Sequence, residues 1–180
     1  MFKFIVIVFV VFILFILFQM YRDSQKEKCK KKGEQWLEVP LYSDNIFLGD
    51  AARFKQQGLL AIKDKEYNKA WEFFHKQKDC YMKHADEHNL TAQQTSELDA
   101  SVGENLANIL RLEGKHADAL VHIIYWISTS SKVTKTQDKK LIAYFNRAKL
   151  NGVEASQVEK FTETNPNFQQ IKTKLSEWIK

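Results

Sequence analysis

Two stretches decide the fold: residues 58–74, GLLAIKDKEYNKAWEFF, and residues 107–123, ANILRLEGKHADALVHI. In the first, Gly58, Ala61, Tyr67, Ala70 and Phe74 recur at helical intervals, interrupted by the charged run Lys63–Glu66. In the second, Ala107, Leu110, His116, Ala119 and Ile123 hold the same relative positions, with Gly114-Lys115 as the interruption. Apolar and small residues three and four apart mark one face of a helix, so each stretch reads as helix, turn, helix. Small residues at Gly58 and Ala107, and at Ala70 and Ala119, let paired helices cross closely. Bulky Phe74 and Ile123 fill the space between neighbouring pairs.

The same periodicity extends outward. Ala51, Phe54, Gly58, Ala61 and Ile62 make the first stripe, and Tyr67, Ala70, Trp71, Phe74, Lys78, Tyr81 and Ala85 a longer second one, ended by Asn89-Leu90. Thr91-Ala92-Gln93-Gln94 fits a capping box. Leu98, Val102, Leu106, Ile109 and Leu110 then share a face, followed by Ala119, Leu120, Ile123, Ile124 and Ile127. Residues 128–136 (STSSKVTKT) are a polar loop. Leu141, Ile142, Tyr144, Phe145 and Ala148 start a fifth helix that ends at Asn151-Gly152. A shorter stretch runs over 153–164. Asn165-Pro166 then restarts the chain, proline suiting a first helical turn, and Phe168, Ile171, Leu175, Trp178 and Ile179 form a terminal capping helix. Only two prolines and six glycines occur, and no segment alternates with period two for long. The expected class is all-α.

The repeated spacing resembles the tetratricopeptide repeat, a helix–turn–helix unit. The offset between the units is 49 residues against about 34 in that family, and the family's closing proline is missing from both. A third unit ending at Gly152 and Phe161 matches poorly. The resemblance implies a tetratricopeptide-like stack over 51–180 that binds a peptide or partner helix along its leading helices. By resemblance the groove residues are Lys55, Leu59, Ile62 and Lys63 from the first unit and Glu104, Asn108, Arg111 and Leu112 from the second. The family's basic clamp for a peptide carboxylate needs asparagine where this chain has Leu59, so that clamp is not reproduced.

The N-terminal end adds a location. Phe4–Phe18 (FIVIVFVVFILFILF) is unbroken apolar sequence, and residues 1–21 suffice for a single membrane-spanning helix of about 30 Å. No small-residue triplet of the kind that marks signal cleavage follows it. Bulky side chains and the lack of small-xxx-small spacing suit a tether rather than a channel. Residues 22–35 form a basic juxtamembrane linker, and within 22–32 Arg22, Lys26, Lys28, Lys30, Lys31 and Lys32 stand against two acidic residues. Against Lys3 alone on the other flank, this places the following domain in the cytoplasm by the positive-inside rule. The periplasmic face of an inner membrane is the alternative. The same six residues are candidates for contact with anionic lipid headgroups. Residues 36–50 (WLEVPLYSDNIFLGD), apolar but aperiodic, read as an irregular segment packed on the first helix through Trp36, Leu41, Ile46 and Phe47.

Of the 27 Lys and Arg and 22 Asp and Glu in the chain, 20 of each lie in residues 33–180, so the domain is formally neutral. A neutral domain offers no general footprint for nucleic acid. Two cysteines, Cys29 and Cys80, make no disulfide framework. Cys80, His84 and His88 share a helix face, but ligands at i and i+8 stand ~12 Å apart along the axis and cannot all meet one metal ion. His116 and His122 stand apart from other candidate ligands, and His116 takes the aromatic place in the repeat turn. Asn89-Leu90-Thr91 is a glycosylation sequon by pattern within a helix cap. No phosphate loop or hydrolase motif is found. The reading is a membrane-anchored scaffold or adaptor, not an enzyme, with no cofactor, no metal, no small-molecule substrate and an unknown protein partner. A periplasmic envelope assembly factor or toxin-immunity protein of the same architecture is the alternative. A metal-dependent enzyme using Cys80, His84 and His88 is the alternative of another class.

Overall fold

Why the two matching stretches form hairpins is visible at their turns. The computed structural model describes residues 46–179. The apolar run, the basic linker with Arg22 to Lys32, and residues 36–45 lie outside the described residues. The first hairpin is α1 (Ile46–Lys63) and α2 (Tyr67–Glu87). At its turn Lys65 takes φ 62°, and the Glu66 amide donates to the Ala61 carbonyl at 2.8 Å. In the second stretch Gly114 takes φ 78°, and the Lys115 amide donates to the Leu110 carbonyl, again at 2.8 Å. Both are six-to-one closures with a left-handed residue in the middle, the ending that satisfies a helix's last carbonyls. The residues before the following helices, Glu66 and Lys115, share φ −84° with ψ 66° and 64°. The chain repeats this turn at the 49-residue offset of the sequence pattern.

Six further helices follow: α3 (Ala92–Ser101), α4 (Gly103–Leu112), α5 (His116–Ser128), α6 (Lys135–Ala148), α7 (Ala155–Glu163) and α8 (Phe168–Ile179). No strand occurs among the described residues, and the class is all-α. The Thr91 hydroxyl accepts from the Gln94 amide and the Gln94 side chain returns to the Thr91 amide, a complete capping box, repeated by Thr134 with Gln137. No helix among the described residues is long and apolar enough to cross a membrane.

Helix α5 is the hub, packing against α3, α4, α6, α7 and α8, while α1 packs chiefly on α2. Around α5 the core gathers Ala107, Leu120, Ile123, Ile124, Leu141, Val158, Ile171 and Leu175. A second core joins Ala61, Ala70 and Phe74 of the first hairpin to Val102, Leu106 and Ile109. Trp71 packs against both.

The structure departs from the sequence reading in three places. Residues 46–50, expected to belong to an irregular segment, are the first turn of α1: Phe47 continues the Ala51, Phe54, Gly58 stripe backward, and Gly49 costs a helix only about 1 kcal/mol. The Leu98–Leu110 face is not one helix but two, meeting at Val102. There Ser101 Oγ donates to the Leu98 carbonyl at 2.7 Å, and Gly103 lies against α5 so closely that a Cβ would stand 2.9 Å from the His122 carbonyl oxygen. A Ser/Gly pair is a recognised site of helix bending. Pro166 is not in the first turn of α8. It is buried before the cap, and Asn167 Oδ1 accepts from the Gln170 amide at 2.9 Å.

Candidate binding surface

The leading helices α1 and α4 carry the eight groove candidates, in two different settings. On α1, Lys55, Leu59 and Lys63 are exposed, with Leu59 at 43%. Ile62 is half-buried against the second core. On α4, Glu104, Asn108 and Arg111 are half-buried and Leu112 is 39% exposed.

The α4 set is held by neighbours. Glu104 forms an ion pair with Lys140 of α6, and the Lys140 ammonium also lies 5.5 Å from the Trp126 ring centre. Asn108 Oδ1 accepts from Arg111 Nη2 at 2.8 Å and Nε at 3.3 Å. Arg111 sits beside Tyr144, whose hydroxyl pKa is raised by burial although the guanidinium opposes the rise. No hydrogen bond or ion pair among the described residues joins the α1 set to the α4 set. The chain thus presents a fixed polar strip on α4 and α6, and a freer strip of leucine and lysine on α1.

The residues sharing the repeat spacing are mostly interior. Ala70, Phe74, Ala107, Ala119 and Ile123 are fully buried, Ala61 and Leu110 nearly so, and Tyr67 and His116 half-buried. Gly58 explains the close crossing of the first hairpin: a Cβ there would stand 2.7 Å from Phe74 Cζ.

The histidines are distributed differently from their expected placement. Cys80 is buried between α1 and α2, and burial, with Asp50 adding to it, pushes its thiol pKa up. The His84 and His88 rings lie against each other, tilted by 38° with centres 4.1 Å apart. No group of three His, Cys, Asp or Glu side chains converges among the described residues. His122, expected to stand apart, is instead the centre of an aromatic seam. Its ring lies edge-on to Trp71 at 5.9 Å and tilted on Phe168 at 5.1 Å, and Trp71 continues to His75 at 5.0 Å. Burial lowers the His122 pKa to about 4, helped by the Lys78 and His75 charges. Beside it Lys78 pairs with Asp99 at 2.9 Å, and Tyr125 is pushed up to about 12 by burial and then by Asp99. The residues of this seam come from α2, α3, α5 and α8, a gathering that spacing within one helix does not reveal.

Two shallow clefts open among the described residues. One of about 190 Å³ is lined by Tyr67, Asn68, Trp71, Ile109 and Glu113, and one of about 220 Å³ by Glu97, Trp126, Ser130 and Gln137. Both are smaller than the roughly 300–1,000 Å³ of small-molecule sites. In comparisons with known proteins, no family model, no curated protein and no solved structure matches the chain.

Proposed function

We propose that this chain is a membrane-tethered interaction module, a tetratricopeptide-like stack of helical hairpins that holds a partner protein or peptide against its leading helices. The observation that carries the reading is the pair of exposed leucines, Leu59 and Leu112, on the leading helices of two hairpins built with one turn geometry. In helical-repeat proteins the leading faces take extended peptides or helices. Lys55, Lys63 and Arg111 flank the leucines. The apolar run at 4–18 supplies the tether, and tethering raises local concentration so that a modest surface suffices.

The test is a partner capture with the full chain and with a Leu59→Asp/Leu112→Asp variant. Both sites are exposed, so the fold should persist. Loss of the same partners from the variant is the expected result, and an unchanged set overturns the surface. Orientation is tested separately with a membrane-impermeant maleimide on Cys29, since the buried Cys80 thiol reacts slowly while the domain is folded. Protection until the inner membrane is lysed is expected for a cytoplasmic domain. Prompt labelling would make the periplasmic reading, an envelope or immunity role, the working one.

A further inference from the structure

The formal neutrality of residues 33–180 conceals a strong division. Residues 33–131 hold 15 acidic and 10 basic side chains, whereas residues 132–149 hold six basic and one acidic. That short basic stretch is α6 with its two flanks. Two of its six cations are engaged. Lys140 pairs with Glu104, and Arg147 donates to the Ala143 carbonyl at 2.7 Å while covering Tyr144. The other four, Lys132, Lys135, Lys139 and Lys149, are exposed and form no ion pair among the described residues. Lys135, Lys139 and the exposed Asn146 fall at helical spacing on one outer face, with Lys132 just before it and Lys149 just after. From Lys135 to Lys149 the stripe extends about 20 Å at 1.5 Å per residue. Asp138 borders it in the first turn, and Glu97 of α3 shares a cleft with Lys132.

We infer that this lysine stripe of α6 is a docking surface for an anionic bilayer, laying the domain against the membrane that tethers it. The inference rests on the tether proposed above. The composition of the stripe decides between polyanions. It is lysine throughout, and lysine is a hydrated point charge without the planar fork that reads carboxylates or phosphates two at a time. The aromatic ring nearest them, Trp126, shares a cleft with Lys132 but is half-buried and covered by the Lys140 ammonium, so it does not offer the free stacking faces that single-stranded nucleic acid requires. Nor do the described residues of the stripe include the desolvated aromatic or arginine anchor that dominates protein interfaces, whose cores are poor in lysine. A flat row of solvated charges suits the diffuse potential of an anionic leaflet, where each basic residue near the surface adds about five-fold to partition. The 24 residues between Tyr21 and Ile46 reach at most ~85 Å when extended, which lets any face of the domain meet the bilayer.

The test uses the full chain in lipid nanodiscs, with Cys29→Ser and a fluorophore on Asn146→Cys. Discs of phosphatidylcholine alone are compared with discs one-third phosphatidylserine, each containing headgroup spin-labelled lipid as quencher. Strong quenching in anionic discs is expected, with little in neutral discs. It should be reversed by high salt and abolished by Lys132, Lys135, Lys139 and Lys149→Glu together, with folding checked by circular dichroism. Equal quenching in both discs, or quenching untouched by charge reversal, overturns the stripe. So does protection of the probe by duplex DNA or polyglutamate without any dependence on lipid composition. Release of the chain from discs at high salt would overturn the tether reading. Retention without composition-dependent quenching overturns only the stripe.

Discussion

The two hairpins that repeat each other at an offset of 49 residues agree in backbone and differ in nearly everything else. Their turns close through the same 2.8 Å bond, and the residues after them share φ and ψ within a few degrees. Yet the first places Lys65 where the second has Gly114, Gly58 where it has Ala107, and Phe74 where it has Ile123. Their surroundings differ too. Helix α1 is supported chiefly by α2. Helices α4 and α5 have neighbours on several sides. One turn geometry tolerates different crossings, because the turn is set by local hydrogen bonds and the crossing by how large and small residues face each other.

The sharpest way to break the equivalence is to empty each hairpin in turn. Phe74→Ala and Ile123→Ala should each cost about 2–5 kcal/mol, both side chains being fully buried. The expected difference is in reach. Ile123→Ala should speed amide exchange in every helix touching α5, while Phe74→Ala should loosen α1 and α2 first. Uniform acceleration in both variants would show the helices to be one cooperative unit.

Acid should act on the second hairpin ahead of the first. His122 is neutral in the fold with a pKa lowered to about 4, against 6.5 when unfolded. The unfolded chain therefore binds the extra proton between these values, and stability falls as pH drops from about 6.5 to 4 and levels off below. The full effect is about 3 kcal/mol. His75, lowered chiefly by burial and then by Lys78, contributes in the same direction. Urea midpoints at pH 7 and 5 measure the loss. His122→Gln should flatten the dependence, and a slope unchanged in that variant would place its origin elsewhere.

Gly58→Ala comes next in size. A Cβ 2.7 Å from the Phe74 ring, itself fully enclosed, should overpack the first crossing by about 1–3 kcal/mol, less the helix propensity gained. Phe74→Leu should recover part of that loss in the double variant. The smallest effect is at the turn. Lys65 is exposed and held left-handed at φ 62°, so Lys65→Gly should raise stability by about 0.5–1 kcal/mol, and Gly114→Lys should lower it by a similar amount. Thermal melts of both would show whether the two turns are energetically equivalent as well as alike in shape.

Much of this architecture is legible in the chain before it folds. Thr91 with Gln94 predicts its own cap, and Gly114 predicts its own turn, because the groups that interact are three to five residues apart. The apolar run at 4–18 and its basic flank are equally plain as sequence, though outside the described residues. For the groove candidates, spacing gave each residue a place on a leading helix but not a neighbour, so nothing in it distinguishes the free Leu59 from the pinned Arg111.

Local periodicity, capping chemistry and turn residues were thus enough to determine an all-helical chain of hairpins with two matching units. Tertiary structure alone decided where α3 breaks from α4, which acid Lys140 meets, that His122 is enclosed, and that Lys132, Lys135, Lys139 and Lys149 form no ion pair among the described residues. The physical reason is range. A helix and its ends are written in contacts within one or two turns. Burial, pairing and the exposure of a charged face depend on which distant helix arrives beside them.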